Sequence, residues 1–161
     1  MNGVQTILTI GGMMLLAFIS LQFNSSVLQS STADLNNKVY LTAFSIADNL
    51  IEEIKGKSFD QTTINLTTTN PASLTPVANL GPDSGEVYPN YNDVDDYNGF
   101  KDTTAAPYFE TYYTSCTVQY VDSNNQDAVS SVQTFYKKVT VTVSSPYLSD
   151  PISISAIYTL K

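Results

Sequence analysis

Arginine, histidine and tryptophan are missing from this chain, cysteine occurs once, and no charged side chain precedes Asp34. Each absence excludes something. Seven lysines stand against fifteen acids over 161 residues, a net charge of −8. Affinity for phosphate backbones comes from basic clusters, so nucleic acid is not an expected partner. Lack of histidine removes the commonest acid–base catalyst and metal ligand. Cys116 has no second thiol to pair with, so no disulfide within these residues is expected, and it reads as a small buried residue on a strand. With no glycine-rich phosphate loop and none of the usual nucleophile–base pairs, no enzymatic activity is expected.

What the first 33 residues do contain is a nearly unbroken apolar run, Ile7 to Phe23, which reaches the length of a bilayer core when extended to Leu28. A cleaved secretory signal shows basic residues at its start and small residues at its exit. No Lys or Arg precedes this run, and Leu21-Gln22-Phe23-Asn24 is a poor exit. Thr6, Thr9, Ser20, Gln22 and the pair Gly11-Gly12 dilute the run, and small or hydroxylated residues suit close helix-to-helix packing. Gly11 and Gly12 each weaken a helix by about 1 kcal/mol relative to Ala, so a bend or stretched backbone is expected there.

Helical periodicity continues beyond the run. Leu35, Val39, Ala43, Ile46, Leu50 and Ile54 recur at steps of three and four, and Tyr40, Phe44, Ala47 and Ile51 form an adjacent face. The apolar arc is wider than one partner needs, so one side is expected to receive a sheet and the other to meet neighbouring subunits. A helix from near Val4 to Lys57 would be roughly 80 Å long, and its first half is expected to protrude. Gly56, with lysines in the last turn, is the expected stop. Residues 60–106 then read as a polar connector and an acidic loop. Alternation of apolar and polar residues returns in Pro107–Val121, with Tyr108, Tyr112, Cys116, Val118 and Tyr120 on one face. It recurs in Val132–Ser144, with Lys137 in phase with Phe135, Val139, Val141 and Val143, and in Pro151–Leu160. The expected fold is α+β: a long N-terminal helix packed on a C-terminal antiparallel sheet of three or more strands. Its regions are 1–30 (apolar helix), 31–59 (amphipathic helix), 60–106 (connector) and 107–161 (β-meander). The net charge of the residues after Asp60 is −6, so the acidity belongs to this head.

Three segments carry a family resemblance: Ala43-Phe44-Ser45-Ile46-Ala47-Asp48-Asn49-Leu50-Ile51-Glu52-Glu53-Ile54-Lys55-Gly56-Lys57-Ser58-Phe59-Asp60 as a helix exit, Asp93-Val94-Asp95-Asp96-Tyr97-Asn98-Gly99-Phe100 as an acidic loop, and Tyr136-Lys137-Lys138-Val139-Thr140-Val141-Thr142-Val143 as a penultimate strand. With the order of parts, they resemble a type IV pilin or pseudopilin. The resemblance implies a subunit held in the inner membrane before assembly, extruded by dedicated machinery into a homopolymeric extracellular filament at the cell surface. Such subunits usually carry glutamate as fifth mature residue, thought to pair with a neighbour's terminal amine; if Met1 is the mature terminus, Gln5 stands there. Gln5 can only hydrogen-bond, a weaker contact than a charge-assisted one. The expected polymerisation core is Gln5, Ile7, Leu8, Ile10, Met13, Met14, Leu15, Phe18, Ile19, Leu21 and Phe23.

Other features carry two readings each. Asp93, Asp95 and Asp96, with Asn92 and Asn98, offer hard oxygen ligands for calcium, without EF-hand register, or form a solvated acidic turn before Gly99. No other cofactor is expected. Asn65-Leu66-Thr67 and Asn24-Ser25-Ser26 are glycosylation sequons. The alternatives to a major filament subunit are a minor pseudopilin of a secretion system and a monomeric membrane-anchored surface binding protein.

Overall fold

The computed structural model describes residues 2–106 and 111–160. Met1 and Tyr108, with the expected strand start at Pro107, lie outside the described residues. The chain divides into two compact units, Met1–Val39 and Tyr40–Lys161.

Helix α1 spans Gly3–Lys55, 53 residues. Its hydrogen bonding runs unbroken through Gly11 and Gly12, and a Cβ added at either would meet nothing within 4 Å. The stretched backbone expected there is therefore not what the helix adopts. At the other end the last turn tightens, with Gly56 N–H donating to Glu53 O at 3.1 Å and Lys57 N–H to Ile54 O at 3.0 Å. The helix thus ends at Lys55, immediately before the expected stop at Gly56.

In the second unit, four strands form one antiparallel sheet in the order β1 (Lys101–Ala105), β2 (Thr111–Tyr120), β3 (Tyr136–Ser144) and β4 (Ile152–Thr159). Register pairs Cys116 with Val141, Val118 with Val139 and Val141 with Ile154, so the apolar faces coincide. Tyr112, Thr114, Cys116, Val118 and Tyr120 alternate inward on β2, and Lys137, Val139, Val141 and Val143 on β3. The end of α1 covers that face: Ala43, Ala47, Leu50, Ile51 and Ile54 are buried, and Tyr158 on β4 donates its hydroxyl to Ile51 O at 3.0 Å. The α+β expectation holds. β1 falls in the stretch read as connector, because Lys101-Asp102-Thr103-Thr104-Ala105 is an edge strand whose side chains are almost all exposed and so carries no apolar alternation.

Between α1 and β1 the chain makes short 3-10 turns at Gln61–Thr63, Pro71–Ser73, Val77–Asn79 and Asp95–Tyr97. Asp60 caps the first, accepting from Thr62 N–H while the Thr63 hydroxyl accepts from Asp60 N–H. Tyr88, Tyr91, Tyr97 and Phe100 pack edge-on, with ring centroids 4.9–6.3 Å apart. Tyr97 donates its hydroxyl to Glu53 at 2.6 Å, and Lys57 Nζ donates to Tyr91 O at 2.7 Å, tying this loop to the helix exit.

Candidate functional site

Two features stand out, one in each unit. On α1, the apolar residues expected to form a polymerisation core, from Ile7 to Phe23, are all 49–72 % exposed. Gln5 is exposed with them, and so are Val4, Leu16, Val27 and Leu28, which belong to the same surface. An 18-residue window of α1 reaches a mean hydropathy of 1.9 with none of it buried, which is long and apolar enough to cross a membrane. Contiguous exposed apolar patches larger than a few hundred Å² are rare on soluble monomers and mark interaction or membrane surfaces.

Three hydroxyls along α1 turn their donors inward. Thr9 donates its hydroxyl to Gln5 O at 2.7 Å, Ser26 to Gln22 O at 3.0 Å and Thr32 to Leu28 O at 3.0 Å. A hydroxyl bonded to the carbonyl one turn back enters an apolar medium without an unsatisfied donor. The helix surface is therefore chemically more uniform than its composition suggests.

The second feature is buried charge in the head. Lys137 lies on the inward face of β3 with no exposure, and its ammonium has three acceptors for three protons: Phe59 O at 2.7 Å, Asp60 Oδ2 at 2.9 Å and Asp95 Oδ1 at 2.7 Å. The Phe59 and Tyr120 rings flank it, with centroids 4.5 and 5.2 Å from Nζ. Asp60 in turn accepts from Thr62 N–H and hydroxyl, from Thr75 N–H at 3.0 Å and from the Tyr120 hydroxyl at 3.1 Å.

These surroundings split the carboxyls. Burial pushes Asp60 up, but the hydrogen bond and charge of Lys137, with the Thr75 and Thr62 donors, outweigh it and hold the group below the usual carboxylate range. Asp93 goes the other way. Burial, a hydrogen bond with Asp95 and the charges of Asp95 and Asp96 push it up to about 9, against the opposing pull of Lys137. Its surroundings thus favour the neutral form of Asp93.

Asp93, Asp95 and Asp96 are each 2 % exposed, so the solvated acidic turn is corrected: this is interior, not surface. Nor are they arranged as ligands around a shared cavity. Asp93 Oδ1 accepts from the N–H groups of Asp95 and Asp96, Asp96 Oδ2 from those of Asn92 and Asp93, and Asp95 holds Lys137. No group of three or more acidic or thiol side chains is placed to hold a metal ion among the described residues. Asn98, counted with the ligands, instead clamps Leu80 O and Val118 N–H.

Of the sequons, Asn65 is exposed in the turn after Gln61–Thr63, whereas Asn24 is exposed within α1. Sequence reasoning missed Asp60 and Tyr120 as partners of Lys137, and Thr75 as a partner of Asp60. The available signal was Lys137 itself, a cation in phase with three core valines.

Comparison with protein-family models, with curated proteins and with solved structures finds no match for this chain. The architecture defines the class as far as it goes: a chain with an N-terminal helix apolar enough to cross a membrane and an α+β head whose sheet is covered by that helix's end.

Proposed function

We propose that the chain is the structural subunit of a helical extracellular filament of the type IV pilin-like class. It sits in the inner membrane before assembly, is extruded by machinery that the resemblance implies, and polymerises through α1 with its head outward. One observation carries this reading: a fully exposed apolar window at the start of a helix whose end is built into a folded head. In lipid that surface is already in an apolar medium, and transfer to water costs about 25 cal/mol per Å². Bundling copies side by side avoids most of that cost. The contact between copies is heterologous, since only such contacts build open filaments. Tyr40, Leu41 and Phe44, in the part of α1 that belongs to the second unit, are likewise 45–64 % exposed. The exposed sequon at Asn65 would lie on the outer sheath.

Negative-stain imaging of material sheared from the cell surface, and of the purified full chain, tests the reading. Filaments built of this chain are expected in both. Solitary particles with the helix wrapped in detergent, and no filament in the shear fraction, overturn it in favour of a monomeric membrane-anchored surface protein. Scarcity within filaments made mainly of another subunit marks a minor pseudopilin.

A further inference from the structure

The Lys137 network holds more chemistry than an ion pair requires. Its amine touches two carboxylates in a dry pocket, and a third carboxyl, Asp93, stands behind one of them. We propose that Lys137 and Asp95 condense into an intramolecular isopeptide bond, with Asp60 holding the amine and Asp93 as the proton-relaying group.

The geometry separates the roles. Nζ lies 2.7 Å from Asp95 Oδ1. The carboxyl carbon is bonded to that oxygen, and the reaction requires the amine to reach roughly 3–3.5 Å from it. Asp60 is a poor electrophile: besides Lys137 it accepts from Thr62, Thr75 and Tyr120, a set of donors that stabilises the anion. Its part is to hold the amine in place beside Asp95. Asp95 lacks that donor set; its own N–H donates to Asp93 Oδ1 at 2.9 Å, which sets beside it the carboxyl that burial and acidic neighbours push upward. Asp93 therefore suits the acid that neutralises the Asp95 carboxylate and assists its departing oxygen.

The balance closes without any further reactant. The Nζ–Cγ bond forms and one Cγ–O bond of Asp95 breaks. The two protons lost by Nζ leave with that oxygen as water, relayed by Asp93, which ends as it began. Fixed neighbours raise the effective concentration of the reacting groups by about 10⁵–10⁸ M. The product also replaces a buried ammonium and a buried carboxylate by a neutral amide, relieving the desolvation cost of the pair. Asp60 then keeps its anion on the remaining donors. The bond joins the Asp95–Tyr97 turn to β3 and closes a loop of 42 residues carrying β1 and β2.

Mass spectrometry of the full purified chain tests this independently of filament formation. The expected result is an intact mass lighter by one water than the sequence requires, and a protease digest in which the peptides holding Asp95 and Lys137 remain joined. Lys137→Arg, which keeps the cation and cannot form the amide, is expected to restore the full mass. Asp93→Asn, folded by circular dichroism, is expected to lose most of the crosslink. A full-mass parent chain with the two peptides separate overturns the proposal whatever the variants do. A fully linked Asp93→Asn overturns the role given to Asp93.

Discussion

The two units place apolar and charged side chains in opposite ways. In the first, leucines, isoleucines and phenylalanines of α1 stand exposed along its surface. In the second, Lys137, Asp60, Asp93, Asp95 and Asp96 are buried. Both depart from the usual rule that apolar residues are inside and charges outside. They differ in how the departure is resolved. The buried charges find their partners within the chain, down to each proton of the ammonium, whereas the exposed apolar surface finds none. The buried charges of the head are satisfied as they stand, and the apolar side chains of the first unit are left exposed. A violation satisfied internally is a matter of stability; one left open points outward, to an environment.

The comparison breaks most sharply at Leu15. Leu15→Asp is expected to abolish filaments in the shear fraction while leaving the thermal midpoint of the head unchanged. A carboxylate at the centre of a spanning helix costs about 2.5–3.5 kcal/mol in lipid, and every contact along a filament repeats a comparable cost. Normal filaments from this variant would end the claim that the surface is buried between copies. Lys137→Met is expected to do the reverse, lowering head stability by about 3–5 kcal/mol because Asp60 and Asp95 are left as buried anions without a cation. Denaturant unfolding measures it. A loss under 1 kcal/mol would mean that the network is not what holds the connector to the sheet.

How much of this was legible beforehand depended on whether a residue's environment lay near it in sequence. The length of α1, its apolar run and the inward positions of β2, β3 and β4 follow from local periodicity, and the structure keeps them. The edge strand β1 was not legible, since Lys101–Ala105 buries almost nothing and is specified by its partner β2. The acidic loop was misread for a similar reason. Asp93, Asp95 and Asp96 look like solvent-facing acids or metal ligands until Lys137, 42 residues beyond Asp95, is brought beneath them. Charge neutralisation over that separation leaves no trace in a local pattern, except that Lys137 stood in phase with Val139, Val141 and Val143. An in-phase cation on a buried face calls for a buried anion, and that was the unused clue.

A smaller effect is expected on the alkaline side. Burial, with the hydrogen bond and charge of Glu53, raises the phenol of Tyr97; burial, with the charges of Cys116 and Glu52, raises that of Tyr158. A group whose folded pKa lies above its unfolded value of about 10 stabilises the fold below that pH and loses the contribution as pH rises beyond it. The thermal midpoint is therefore expected to fall above pH of about 10. Phenolate absorbance from these two residues is expected only together with loss of the native circular dichroism. Ionisation of all eleven tyrosines in a chain that still shows the native spectrum would contradict their burial. Cys116, which burial pushes up to about 12, is expected to resist alkylation until the same transition.

The smallest effect sharpens the comparison within a single strand. Lys137 and Lys138 are consecutive on β3 and both bind aspartate, yet they face opposite sides of the sheet. Lys138 meets Asp127 at 2.9 Å, but the Asp127 side chain is 91 % exposed. Water screens that pair and ordering the two side chains offsets its attraction, so Lys138→Ala is expected to cost between about 0 and 1 kcal/mol, and less in high salt. Run beside Lys137→Met in the same denaturant series, the variant isolates burial as the variable, since strand, residue type and partner type are shared. Equal losses at the two positions would show that the ion pairs act through strand propensity and not through the dry interior on which the Lys137 argument rests.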